Sequence, residues 1–261
     1  MKKTLLYCLL LLLIGCKSNE SEDNPPVLDC DTYLPASYSN NWGNTVETYH
    51  YDGKGRIEKI EYKQDSKISR LILMEYDNQG NVIKMKHLAP DGKEMDRKTY
   101  EYNTSGQLIK SNHYVIFNGS PDLQYFTTYE YNSNKELKKV SHHQPGFPQS
   151  EVVYEYQNGI MKKVFYYHSS GEVETTVAYE YDDKKGFLSG APYSLHVVLG
   201  IGTAGFPYQH NIKKQTITHL DGRVEEEPTG TYEYNEAGYP IKFMPFNSGG
   251  SEIRTYTYKC K

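Results

Sequence analysis

The chain reads as all-β: an antiparallel β-meander of about 16 strands, assembled from hairpin repeats of about 25 residues and rolled into an open or closed barrel-like, water-soluble sheet. Three observations predict this. A Tyr-x-Tyr pair recurs at Tyr49-His50-Tyr51, Tyr100-Glu101-Tyr102, Tyr129-Glu130-Tyr131, Tyr154-Glu155-Tyr156, Tyr179-Glu180-Tyr181, Tyr232-Glu233-Tyr234 and Tyr256-Thr257-Tyr258, with Met74-Glu75-Tyr76 as a variant copy. Each of the clearest copies runs into a turn of Asn, Asp and Gly and then an apolar-x-Lys stretch, as in Asn78-Gln79-Gly80-Asn81-Val82-Ile83-Lys84-Met85 and Thr104-Ser105-Gly106-Gln107-Leu108-Ile109-Lys110. Alternation on both sides of a turn signal marks a β-hairpin. That alternation also sets charged side chains on one face and tyrosines with aliphatic residues on the other.

Residues 1–15 are a leader rather than part of the fold. Lys2 and Lys3 precede an apolar run from Leu5 to Ile14 that is too short to span a bilayer. Leu13-Ile14-Gly15-Cys16 resembles the lipobox of bacterial lipoproteins. That resemblance implies cleavage before Cys16, lipidation of its thiol and anchoring in the outer membrane, each buried methylene adding roughly 0.8 kcal/mol. Residues 16–29 are a flexible acidic tether, polar and carrying Pro25-Pro26, a composition that cannot bury enough surface to fold. Glu20, Glu22 and Asp23 resemble the acidic export tract of surface lipoproteins, which leaves cell-surface exposure and a plain solvated linker both open.

Residues 30–261 form a single repeat-built β domain. With Cys8 removed and Cys16 lipidated, Cys30 and Cys260 remain, one at each end of this domain. In an oxidising compartment they are a candidate disulfide, which would require the two ends of the fold to meet; two unpaired thiols are the alternative. The formal charge is −4, and the loss of Lys2 and Lys3 makes it more acidic. With no basic stripe, nucleic acid is excluded as a partner.

The hairpin register follows from the turn. Closing a four-residue loop with Asp77 opposite Val82 places Glu75 against Lys84, Met74 against Met85 and Tyr76 against Ile83. The same rule pairs Glu101 with Lys110, Glu130 with Lys139 and Glu233 with Lys242. At the shorter Asn158-Gly159 turn it pairs Glu155 with Lys162. One face therefore carries recurring Glu–Lys pairs, each contributing a few tenths of a kcal/mol, and the other carries the tyrosines. A membrane-spanning barrel needs an apolar outer face, so this pattern argues against one.

The rhythm breaks once, at an irregular insert spanning 187–207, where Phe187 to Phe206 is apolar and glycine-rich. Leu195 to Ile201 is expected to pack into the hollow of the rolled sheet or across its mouth.

Tyr-Glu-Tyr-Asn/Asp followed by a Gly turn and Leu-x-Lys resembles the YD or RHS repeat of large secreted proteins, whose sheets wind into shells. The C-terminal part is more particular. Tyr181-Asp182-Asp183-Lys184-Lys185, the insert, His210-Asn211-Ile212-Lys213 and Tyr232-Glu233-Tyr234-Asn235-Glu236-Ala237-Gly238-Tyr239-Pro240 resemble a family of Gram-negative lipoproteins of unknown function with a porin-like β fold. The resemblance implies an architecture and an envelope location and brings no catalytic residues.

The chemistry-bearing residues do not assemble into a motif. His87, His113 and His142 each stand five residues after the first apolar residue of their strand, in successive hairpins about 10 Å apart, whereas zinc ligands lie about 2 Å from one point. Tyr62 and Tyr166 fill the same slot, so these read as packing positions. His142 and His143 point to opposite faces. No Gly-x-Ser-x-Gly occurs, and Gly200-Ile201-Gly202-Thr203-Ala204-Gly205 lacks the βαβ context of a dinucleotide fingerprint. The expectation is a lipid-anchored envelope protein that is not an enzyme and needs no cofactor or metal: a binding or scaffold module with a glycan, lipid or protein ligand. A carrier holding an apolar ligand inside the rolled sheet is the alternative, and an envelope hydrolase is a distant third. With 26 tyrosines in 261 residues, each ring is a candidate for recognition as well as for the core.

Overall fold

The computed structural model describes residues 33–189 and 209–260. Cys16, Cys30, the leader 1–15, the tether 16–29 and Leu195 to Ile201 lie outside the described residues. The first strands are β1 (Tyr33–Asn40), β2 (Thr45–Tyr51), β3 (Ile57–Gln64), β4 (Lys67–Tyr76), β5 (Val82–Leu88) and β6 (Glu94–Tyr102). They are followed by β7 (Leu108–Phe117), β8 (Ser120–Tyr131), β9 (Leu137–His143), β10 (Ser150–Gln157), β11 (Ile160–Tyr167) and β12 (Val173–Tyr181). The last five are β13 (Ile212–His219), β14 (Val224–Pro228), β15 (Gly230–Tyr234), β16 (Pro240–Pro245) and β17 (Arg254–Cys260), with a short 3-10 turn at Phe246–Ser248.

Each strand from β1 to β14 pairs antiparallel with the next, β15 to β17 do the same, and β17 pairs back onto β1. The 17-stranded sheet is thus a nearly closed barrel whose one unsealed seam lies between β14 and β15. Twist curls a long meander, and closure removes the exposed edges that an open sheet would present. Tyr33 stands opposite Cys260, so the two ends of the fold do meet.

Most turns at one end of the barrel, the corner end, share one construction; the two-residue Asn158-Gly159 turn is the exception. The Asp77 amide donates to the Asn81 carbonyl at 2.9 Å. The Asp77 carboxylate in turn accepts from the Gln79 and Asn81 amides, each at 2.8 Å. Asp52, Asn103 and Asn132 hold their corners in the same way. The fourth residue is left-handed, which is why glycine stands there at Gly55, Gly80 and Gly106; Lys135, at φ 67°, is the exception.

A β-bulge follows each of these corners and corrects the expected register. Glu75–Lys84, Glu101–Lys110, Glu130–Lys139 and Glu233–Lys242 pair as the sequence implies. Tyr76, however, stands opposite Val82 rather than Ile83, and Glu155 stands opposite Lys163 rather than Lys162. The extra residue, Ile83 or Ile109, is turned outward and exposed, so that Val82 and Met85, three apart, both face the core. Leu108 with Ser111, Leu137 with Val140 and Ile57 with Ile60 repeat this spacing.

In five of the eight copies the second tyrosine has a specific task. Ladders between neighbouring hairpins stop short: β5–β6 ends at Lys84–Thr99, β3–β4 at Lys59–Leu73 and β7–β8 at Lys110–Thr128. Beyond them a tyrosine hydroxyl donates to the stranded carbonyl: Tyr76 to Ile57 at 2.6 Å, Tyr102 to Val82 at 2.9 Å and Tyr131 to Leu108 at 2.9 Å. Tyr51 to Pro35 and Tyr258 to Pro240 complete the series. Tyrosine rather than phenylalanine is needed because buried carbonyls require a donor.

Candidate functional site

The interior changes character along the barrel axis. Nearest the corners it is aliphatic and tyrosine-rich; towards the opposite rim, Glu47, Lys98, Asp96 and the inward histidines take over. His87, His113 and His142 occupy the equivalent inward slots the sequence assigns them. Asp96, on the strand between the first two, links them: its Oδ1 lies 2.9 Å from His87 Nδ1 and 3.4 Å from His113 Nε2. The histidines alone gave no sign of this carboxylate. Burial lowers the pKa of His87 and of Lys98, with Asp96 opposing both shifts. His142 Nδ1 meets the Thr127 hydroxyl at 3.0 Å. Among the described residues no three His, Cys, Asp or Glu side chains are placed to hold a metal ion.

The seam arises where one long strand changes partners. β14 pairs with β13 from Thr218–Val224 to Lys214–Pro228, whereas β15 pairs with β16 from Gly230–Pro245 to Tyr234–Pro240. Thr229 is the crossing: its amide donates to the Lys213 carbonyl at 3.0 Å and its hydroxyl donates to the Ile212 carbonyl. Gly230 makes the crossing possible, since a Cβ there would overlap the Met244 carbonyl and the Phe243 ring. The switch leaves two wedges, one on either side of Thr229.

The wedge towards the corner end is occupied by the start of the insert. Asp182 and Asn211 close a corner like that of Asp77 and Asn81, although they are 29 residues apart. The Asp182 amide donates to the Asn211 carbonyl at 3.0 Å, and the Asp182 carboxylate accepts from the Lys184 and Asn211 amides at 3.0 and 3.1 Å. The double gap in the tyrosine rhythm is therefore one enlarged corner, not a missing copy. Because Thr229 already engages the Ile212 carbonyl, the Tyr234 hydroxyl donates to the Asp182 carboxylate instead. Burial and that carboxylate together push the Tyr234 phenol well up.

The wedge towards the rim opens into a cavity of about 970 Å³. Tyr38, Tyr49, Tyr232, Phe243 and Tyr256 supply aromatic walls, and Phe187 enters from the insert with its ring centroid 4.8 Å from that of Tyr256 and 6.1 Å from that of Tyr49. Leu188 beside it is buried. Phe187 and Leu188, at the start of the insert, thus pack into the hollow.

Glu47 is half-buried and accepts a hydrogen bond from the Tyr49 hydroxyl at 3.1 Å. Burial pushes its carboxyl above the usual carboxylate range, the hydrogen bond working against this. Arg254 lies 5.3 Å from the Phe243 ring centroid, and its Nε donates to Glu252 at 2.7 Å. Glu227 accepts from Gln215 Nε2 at 2.7 Å, while its neighbour Glu226 pairs with Lys214 at 3.0 Å. Both glutamates line the cavity, which lies against the unpaired edge of β14.

This site draws on β1, β2, β12, β13, β14, β15, β16 and β17, the two ends of the chain brought together, and single-residue patterns could not find it. The visible signal was Pro228-Thr229-Gly230 in a stretch otherwise reading as strand. Cys260 is exposed, at the corner end of β17.

No protein-family profile matches the chain, and no curated protein matches it in sequence. Solved structures that share its fold include two porin-like proteins. One is a porin-like protein from Bacteroides uniformis, with a TM-score of 0.53 and 15% identity over 87% of this chain and 99% of that one. The other is a porin-like protein from Bacteroides vulgatus, with a TM-score of 0.55 and 11% identity, again over 87% and 99%. At these identities the likeness is one of fold.

Proposed function

We propose that this porin-like β barrel is a non-catalytic binding or scaffold module, lipid-anchored through Cys16 to the outer membrane, and that it binds its ligand in the cavity beside the β14–β15 seam. The observation that carries the binding site is the cavity itself: about 970 Å³, walled by aromatic rings, fringed by Glu47, Glu227 and Arg254, and reached through a gap in the wall. Sites of this kind combine apolar surface for affinity with a few placed polar groups for orientation. The lipobox-like Leu13-Ile14-Gly15-Cys16 and the acidic tether support the anchor and the envelope location. The repeats, which resemble YD repeats, supply the frame.

A second reading is favoured by the rings of Tyr49, Phe187, Tyr232 and Tyr256: a carrier holding an apolar ligand or lipid within the barrel. Mass spectrometry of protein purified gently from cells separates the two. A lipid retained at one per chain supports the carrier. No retained lipid, with a water-soluble ligand protecting the native protein against heat and failing to protect a Glu47→Gln variant, supports the module. Neither a retained molecule nor any protecting ligand in a broad screen of glycans, peptides and lipids would overturn both. The anchor is tested separately by the mass of the N-terminal peptide, which should carry acyl chains on Cys16.

A further inference from the structure

The two ends of the barrel also differ in their exposed apolar side chains. Among the described residues, ten of the twelve exposed large apolar side chains stand at the rim opposite the corners. The other two, Ile83 and Ile109, are the bulge residues on the wall. The six that are more than half exposed are Trp42, Phe117, Phe147, Leu220, Val224 and Phe246, with Trp42 at 78%. They lie in, or at a strand end beside, five separate connections: β1–β2, β7–β8, β9–β10, β13–β14 and β16–β17. Among the described residues, no turn at the corner end presents a large exposed apolar side chain.

We propose that this rim is a membrane-contact surface, docking against the headgroup and upper acyl region of a lipid bilayer through Trp42, Phe117, Phe147, Leu220 and Phe246. A protein partner is met by a contiguous patch with a packed centre. Here the apolar groups are single tips on connections set around a ring, an arrangement that fits a plane. Tryptophan and phenylalanine at loop tips also match the composition of membrane–water interfaces. The chain enters β1 at the corner end, but the stretch from Cys16 to Tyr33 can span roughly 55 Å when extended. The strands are only roughly 30 Å long, so an anchor at Cys16 and the rim can reach the same bilayer. The rim contact does not depend on the anchor.

Trp42 is the only tryptophan in the chain, which makes it a built-in probe. The full chain is mixed with vesicles of phosphatidylethanolamine and phosphatidylglycerol, either plain or carrying brominated acyl chains. The expected result is a shift of Trp42 emission to shorter wavelength and at least a twofold lower intensity in brominated than in plain vesicles. A Phe117→Ser/Phe147→Ser variant should lose most of that quenching while melting at the same temperature, because both residues are exposed; Phe147→Ser alone serves if the pair fails to fold. Equal intensity in both vesicle types, with Trp42 still open to iodide, would overturn the proposal. So would shielding of Trp42 that needs a second copy of the chain or a protein partner and no lipid. Because quenching reads the depth of Trp42 itself, an absent anchor at Cys16 and an absent rim contact give different results.

Discussion

Replacing Tyr102 with phenylalanine tests the physical reason for the repeat. The ring stays, and what is lost is the 2.9 Å hydrogen bond from its hydroxyl to the Val82 carbonyl. That carbonyl lies beyond the last pair of the β5–β6 ladder, Lys84–Thr99, on a residue that is 1% exposed. The cost is the bond plus the desolvation of an acceptor left without a donor, about 1.5 kcal/mol. In a fold of this size that lowers Tm by about 4 °C. The control is Glu101→Gln in the same hairpin. Its partner Lys110 is 3.7 Å away and both side chains are exposed, so the change costs a few tenths of a kcal/mol. Urea unfolding monitored by circular dichroism, with an unchanged m-value, measures both. If Tyr102→Phe costs no more than Glu101→Gln, the hydroxyl strap is not what the second tyrosine is for.

Four further outcomes follow from the same construction. Lys135→Gly relieves the left-handed lysine of the Asn132 corner, at φ 67°, and should stabilise by about 0.5–1 kcal/mol, read as a raised urea midpoint. Gly230→Ala should destabilise by about 2 kcal/mol or more, since the added methyl overlaps Phe243 and the Met244 carbonyl, and calorimetry would show it. Burial pushes Tyr62 and Tyr76 each up to about 12. Folding therefore favours their protonated forms: their contribution is complete below about pH 10, where unfolded tyrosine titrates, and is lost as pH rises through about 12. Melting temperature against pH should fall over that window, and a flat profile would count against buried phenols. Peptide mapping without reductant should find Cys30 joined to Cys260, and reduction should cost on the order of 2–4 kcal/mol; a free, alkylatable Cys260 in native protein would exclude the bond.

The repeat and its charged face were legible because both rest on period-two alternation, and Glu75, Glu101, Glu130 and Glu233 all meet the lysines expected of them. The bulge was not. Ile83 and Val82 are equally apolar, and only the strand path decides which one faces in. The shorter Asn158-Gly159 turn hid the same shift, so that Glu155 meets Lys163. That the ends meet follows from Tyr33 opposite Cys260, a contact with no local signal. The candidate site was the least legible part. Glu47, Phe187, Glu227 and Arg254 lie far apart in the chain, and what gathers them is the change of partners at Thr229.

A strand ladder seals the barrel at every step except β14–β15, beside which the cavity lies. Residue-resolved amide hydrogen exchange tests this closure most directly. Amides across the β1–β17 closure should be protected like those of β2–β3, while those on the unpaired edges of residues 224–234 should exchange markedly faster. Uniform protection through 224–234, or an unprotected β1–β17 closure, would contradict it.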